Sequence, residues 1–138
     1  MISATASSAA DPAELFDIAS DVEAWGDRLP TVTSVRHVAG PRPMAVGSRY
    51  EVVQPGIPAA VYEVTELDPG RRFVWQARGA GMVATAGHTV VADGTGSRLD
   101  LTVEWSGPLG RLFRAVVAKR AQVMVDTEAE VFARLAAV

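Results

Sequence analysis

A few polar side chains stand among apolar neighbours at positions where they could do chemistry. Arg120 falls between Val116 and the Val123, Met124 pair on the apolar stripe of a long helical segment, where a guanidinium is unexpected. Arginine keeps its charge when buried and offers a fixed fork of donors, so inside a cavity it would hold a carboxylate, enolate or phenolate oxygen. The same residue can instead snorkel to a cavity mouth or pair with an acidic neighbour. Thr127 is the next polar group along that stripe. His88 is the only histidine in the presumed centre of the strand region, and imidazole is the side chain most easily tuned to exchange protons near neutral pH. Both alternating sets of residues around it are partly apolar, so a period of two does not choose its face. His37, near the end of a strand, carries less weight. Tyr50 and Tyr62 combine a large apolar body with a hydroxyl able to orient a ligand carbonyl, although core packing is the commoner role of such residues. Glu128 and Glu130 fall on differing sides of the helical stripe without a histidine partner, which reads as a solvated helix face.

What the sequence lacks narrows the chemistry further. It contains no cysteine, hence no disulfide, thiolate metal site, iron–sulfur cluster or cysteine nucleophile. HExxH, GxSxG, GxGxxG with a following acid, and GxxxxGK[ST] are all missing, so neither a metal nor a nucleotide cofactor is expected. The 138 residues carry 13 Lys plus Arg against 16 Asp plus Glu, a net charge of −3, which argues against a nonspecific nucleic-acid binder. With 49% hydrophobic and 21% charged residues there is material for a substantial core, and the length suits one domain over residues 1–138. The first residues have no basic region followed by an apolar core, and longer apolar stretches are soon interrupted by Arg, Asp or Gly. The expectation is a cytoplasmic protein, monomer or homodimer, with no stable membrane insertion.

The elements that must position these residues follow from periodicity and punctuation. Ile2 to Ser7 alternates as a short strand, small in its side chains and exposed to fraying or to extension by a partner. Asp11 and Pro12 open a helix to about Ser20, and Asp21 opens a second short helix carrying Val22, Trp25 and Leu29. Six strands are then predicted: 31–39, 47–54, 59–67, 71–78, 82–92 and 98–106. Pro-Arg-Pro, Pro-Gly, Asp-Pro-Gly, Gly-Ala-Gly and Asp-Gly-Thr-Gly separate them, and such short connections make an antiparallel meander. After Pro108 the period becomes helical, with Leu109, Leu112, Phe113, Val116, Val117, Val123, Met124, Val131 and Leu135 on one broad face. A sheet covered by a single long helix must curl around it, and a curled sheet gripping a helix tends to leave space. Alternation turns Tyr50 and Val52, Tyr62 and Val64, Phe73 and Trp75, and Val103 and Trp105 toward that space. Phe113, Val116, Val117, Arg120 and Met124 of the helix, together with His88, complete the candidate ligand-binding set.

Several runs also occur in a familiar order: Asp11-Pro12-Ala13-Glu14-Leu15-Phe16, Asp21-Val22-Glu23-Ala24-Trp25 with Leu29-Pro30, and Val46-Gly47-Ser48-Arg49-Tyr50. Thr65 to Trp75, Gly94 to Leu99, and Ser106-Gly107-Pro108-Leu109 continue it. Over nearly the whole chain this resembles the START / Bet v 1-like (SRPBCC) superfamily in its polyketide cyclase/dehydrase branch. The resemblance implies an α+β helix-grip fold: a curved seven-stranded antiparallel sheet around a long C-terminal helix, with two short helices after the first strand. It also implies a cavity for a small hydrophobic molecule such as a lipid, sterol or polyketide, and a Trp25 that anchors the short helices near the cavity entrance. Members range from carriers to cyclases, so fold does not convert into reaction. Three readings follow: a carrier, a cyclase or dehydratase using His88 or a tyrosine with Arg120, and an interaction module whose core is filled by its own side chains.

Overall fold

The computed structural model describes residues 1–138. β1 (Ile2–Ser8) leads into α1 (Pro12–Ser20), a single 3-10 turn (Val22–Ala24) and α2 (Trp25–Arg28). There follow β2 (Ser34–Ala39), β3 (Arg49–Gln54), β4 (Ile57–Asp68), β5 (Arg72–Gly79), β6 (Met82–Asp93), β7 (Gly96–Ser106) and finally α3 (Gly110–Ala136). The fold is a helix grip. All seven strands form one antiparallel sheet in the order β1-β7-β6-β5-β4-β3-β2, so the first strand closes onto the last and the remaining six form the meander. Strand β2 begins at Ser34, three residues later than its β-branched composition suggests, because Thr31 to Thr33 still complete the turn out of α2. Asp11 does stand at the helix N-cap, but the contact there is backbone alone: Leu15 N–H donates to the Asp11 carbonyl.

Register shows why the inner surface is hollow. One inward row runs Tyr50, Tyr62, Ala77, Ala84, Trp105 across five strands, and the next runs Val64, Trp75, Ala86, Val103, Ile2. Alanines thus occupy the middle of both rows, between Tyr62 and Trp105 in the first and between Trp75 and Val103 in the second, leaving a trough where larger residues would have filled the layer. Irregularities in pairing between His37 and Ala39, Val52 and Gln54, and Val64 and Glu66 bend the β2–β4 end of the sheet.

Helix α3 covers the trough unevenly. Its packing partners are chiefly β1, β7 and α1, so it lies over one side of the sheet. The β1 edge is tied to the helix: Gln122 Nε2 donates to the Ser3 carbonyl at 2.8 Å and Ser8 Oγ to the Ala133 carbonyl at 2.7 Å. That edge is therefore covered from within the chain, not left to fray. The second half of α3 buries Ala121, Met124, Val125, Glu128, Ala129 and Phe132. Leu112 and Val123 face outward, at 65% and 64% exposure, so the apolar residues of this helix do not form the single broad face expected from their count. No helix is long and apolar enough to cross a membrane.

Candidate functional site

Between the β3–β7 part of the sheet and α3 lies a cavity of about 480 Å³. Its sheet wall includes Val52, Tyr62, Trp75, Ala77, Ala84, Ala86, His88, Val103 and Trp105, and its helix wall is Phe113, Ala121, Met124, Val125 and Glu128. Residues Ile57 to Val61, with Gly79 and Met82, surround the end nearest the β3–β4 and β5–β6 turns. Trp25 is buried at the other side, where its indole Nε1 donates to the Ala19 carbonyl at 3.1 Å. It lines the cavity as part of its floor, with ring centroids 5.3 Å from Trp75 and 5.5 Å from Phe132, rather than standing at an entrance.

His88 faces inward, the orientation its strand pattern left open, because its register partners Phe73 and Leu101 are both core residues. Its ring stacks on Phe73 at 4.0 Å and 4°, and Nδ1 lies 3.3 Å from the Phe73 carbonyl. A carbonyl only accepts, so Nδ1 carries the proton and Nε2 keeps its lone pair. Burial pushes the imidazole down to about 4; the Phe73 carbonyl opposes this and the Arg72 charge adds to it. The ring is neutral at physiological pH.

Glu128 projects from the opposite wall. It is 8% exposed, far from the solvated helix face expected of it. Thr31 Oγ1 donates to Oε2 at 2.9 Å, the one hydrogen bond of this carboxyl. Burial raises the carboxyl to about 7, against the lowering effect of the Thr31 hydroxyl. Tyr62 is pushed up to about 12, first by burial and then by the nearby Glu128 charge. Its hydroxyl makes no hydrogen bond to the protein. The cavity is therefore oily, with His88, Glu128 and Tyr62 among the few polar side chains on its walls, beside Gln54, Thr102 and the rim residue Arg78.

Eight of the candidate residues from the sequence come together on the wall: Val52, Tyr62, Trp75, His88, Val103, Trp105, Phe113 and Met124. Six do not. Arg120 is exposed and reaches away from the interior to the β3–β4 turn, where Nη1 donates to the Gly56 carbonyl at 3.3 Å; the guanidinium stays in water and only bridges helix to hairpin. Gly56 has φ of +75°, and a side chain there would run into this guanidinium. Val116 is 77% exposed on the outer face of α3, in phase with Leu112 and Val123. Val117 is half-buried, but at its level the wall is made by Phe113, one turn before, and Ala121, one turn after. Val64 and Phe73 are fully buried beneath the lining, Phe73 being covered by His88, Trp75 and Phe16. Tyr50 packs on Trp75 and His37 and faces a separate shallow hollow beside α1 that Phe16, Met44 and Leu67 share. Burial raises its hydroxyl pKa, more than the Ser48 hydrogen bond lowers it. Thr127, the other polar residue of the stripe, bonds the Val123 carbonyl of its own helix.

The sequence matches the family described as polyketide cyclase / dehydrase and lipid transport over residues 1–137. The chain belongs to this family. No protein of curated function matches it. Solved structures agree in fold: TTHA0849 of Thermus thermophilus has a TM-score of 0.78 at 20% identity, covering 98% of this chain and 95% of that one. Norcoclaurine synthase of Thalictrum flavum, solved with dopamine and hydroxybenzaldehyde, has a TM-score of 0.73 at 15% identity, covering 97% and 84%. The di-domain ARO/CYC protein StfQ of the steffimycin pathway has a TM-score of 0.74 at 12% identity; 98% of this chain matches 49% of that one, about half its length.

Proposed function

We propose that this protein binds a small, mainly apolar molecule in the cavity between the sheet and α3, and acts as a carrier or holder of that molecule. The observation that carries the reading is the cavity itself: about 480 Å³, with 19 of its 27 lining residues hydrophobic. That volume lies within the range of sites for drug-sized ligands, and an apolar guest gains roughly 25 cal/mol for each Å² it hides from water. The lipid-transport side of the family description and the aromatic molecules held by norcoclaurine synthase are consistent with it. An interaction module with a filled core is disfavoured by the same void.

A second reading has one specific observation behind it. His88, Tyr62 and Glu128 all reach the cavity, and a carboxyl raised to about 7 is suited to exchange protons at neutral pH. Under this reading the protein is a cyclase or dehydratase acting on a polyketide-like substrate, with Glu128 rather than Arg120 as the acid–base group.

The test is uptake of an uncharged fluorescent probe, N-phenyl-1-naphthylamine, by native protein, with displacement by decanol. Ala86→Phe should fill the trough between Trp75 and Val103 and weaken uptake at least tenfold while the near-ultraviolet circular dichroism stays native. Native protein that takes up no probe, or an Ala86→Phe variant that binds as the wild type does, would remove the cavity from the function.

A further inference from the structure

Glu128 is an uncommon group to find in an oily cavity, because a buried carboxylate is normally matched by a cation. None is present. The ion pairs of the molecule all join surface residues, and Glu128 takes part in none of them. Its single hydrogen-bond partner is the Thr31 hydroxyl on Oε2, which leaves Oε1 for something else. The other titratable groups on the cavity wall are Tyr62, His88 and, at its exposed rim, Arg78. Arg78 is engaged with Gln76 at 3.2 Å on the outside of β5. Nothing within the chain neutralises Glu128 at close range.

The rings that share this cavity add a second, independent preference. Trp25, Trp75 and Tyr62 all line it, with ring centroids 5.3 Å apart for the two tryptophans and 5.2 Å for Tyr62 and Trp75. Aromatic faces carry negative potential, attract ammonium groups and repel carboxylates. An acceptor oxygen without a donor and three electron-rich rings in one largely apolar compartment call for the same complement. We infer that the cavity selects a hydrophobic amine, its ammonium held by Glu128 Oε1 and the faces of Trp25, Trp75 and Tyr62 while its apolar body lies in the alanine trough. This rests on the ligand-binding reading and gives that ligand a chemical class. Phenols and alcohols offer one hydrogen-bond donor but no charge for the rings, and carboxylic acids are opposed by both features.

The proton inventory gives the inference a pH signature. The carboxyl must ionise to pair with an ammonium, so amine affinity holds above pH 7 and falls about tenfold for each unit below it. His88 works in the same direction only below about pH 4, where it would become cationic.

The experiment titrates the full chain with 4-phenylbutylamine and with its neutral counterpart 4-phenylbutan-1-ol, followed by tryptophan fluorescence at pH 8 and pH 5.5. The amine should bind at least tenfold more tightly than the alcohol at pH 8 and lose that advantage at pH 5.5, with the alcohol unchanged. Glu128→Gln should abolish the advantage, read as the ratio of amine to alcohol affinity within the same variant. Should that variant not fold, wild-type protein still decides: the carbon-13 resonance of the Glu128 carboxyl, titrated with and without amine, must show its midpoint moving down when amine is bound. Equal affinities for amine and alcohol at pH 8, a preference that survives Glu128→Gln, or an unmoved midpoint overturns the inference and leaves the cavity reading standing. Failure of both amine and alcohol to bind overturns the cavity reading and this inference together.

Discussion

The two walls of the cavity hold a buried base and a buried acid and treat them differently. On the sheet wall, His88 is stacked on Phe73 and tied to that residue's carbonyl, so it is held as a neutral ring with its proton on a known nitrogen. On the helix wall, Glu128 is held by one threonine hydroxyl, on Oε2, and Oε1 makes no hydrogen bond. Burial disfavours charge in both, lowering the base to about 4 and raising the acid to about 7. The contrast teaches that desolvation alone does not mark a binding group. What separates the walls is the kind of hydrogen-bonding capacity left unspent after folding: a neutral imidazole nitrogen and a phenol on the sheet side, a carboxyl oxygen able to carry charge on the helix side.

The largest way to break the comparison is to remove the platform under the histidine. Phe73 is completely buried and touches Phe16, Trp75 and His88. Phe73→Ala should cost about 3–5 kcal/mol of stability by urea denaturation, as a large core ring lost to a cavity does. With water admitted beside the imidazole, the His88 pKa should rise back toward 6.5 in a proton NMR titration. A stable variant whose His88 still titrates near 4 would show that the stack is not what keeps the ring dry.

The next effect sets the two walls against each other through pH. A group whose folded pKa is depressed contributes stability above its unfolded value and loses it as pH falls; His88 does this between 6.5 and about 4. A group whose folded pKa is raised contributes below its unfolded value and loses it as pH rises; Glu128 does this between 4.5 and about 7. Across the shared window from 4.5 to 6.5 the two slopes oppose each other, so wild-type stability owes little net pH dependence to this pair. Glu128→Gln unmasks the histidine and should gain about 1.4 kcal/mol per pH unit as pH rises through that window. His88→Asn unmasks the acid and should lose about the same amount per unit. Urea midpoints collected from pH 4.5 to 6.5 check both; profiles parallel to wild type in the two variants would mean that neither group is titrating as its burial implies.

Much of the fold was legible because the relevant signals are local. Gly and Pro mark nearly every strand boundary, and the change from period two to a helical period after Pro108 announces α3. The inward rows containing Tyr62, Trp75 and Trp105 also follow from alternation alone. Glu128 was misread for a reason that can be stated. Counting all apolar residues of α3 averages two faces, an outer one with Leu112, Val116 and Val123 and an inner one with Ala121, Val125, Glu128 and Phe132. Spaced by 4, 3 and 4, those inner positions are a helical stripe with a carboxyl at its centre, but small alanines and an acid weigh little in a hydrophobicity count. Arg120 was misplaced by the same averaging. Its contact with Gly56 joins residues 64 apart in sequence, and no periodicity within the helix reveals which hairpin lies beside it. Thr31 was invisible for a related reason: it reaches Glu128 across 97 residues.

The smallest predicted effect sharpens the comparison by testing what lies outside both walls. Arg120 bridges α3 to the β3–β4 turn with an exposed guanidinium, and a solvent-exposed polar contact of this kind is worth at most about 1 kcal/mol. Arg120→Met should therefore change stability by less than that. Because the guanidinium is not part of the cavity wall, anionic 4-phenylbutyrate and neutral 4-phenylbutan-1-ol should keep their relative affinities in the variant, within about twofold. Their exchange should become faster, since the turn carrying Ile57 and Pro58 at the cavity rim loses a tie to the helix. Stopped-flow displacement measures the rate and equilibrium titration the affinities. A selective loss of the anion would put the guanidinium back among the ligand contacts, and the helix wall would then carry charge of both signs instead of a lone carboxyl.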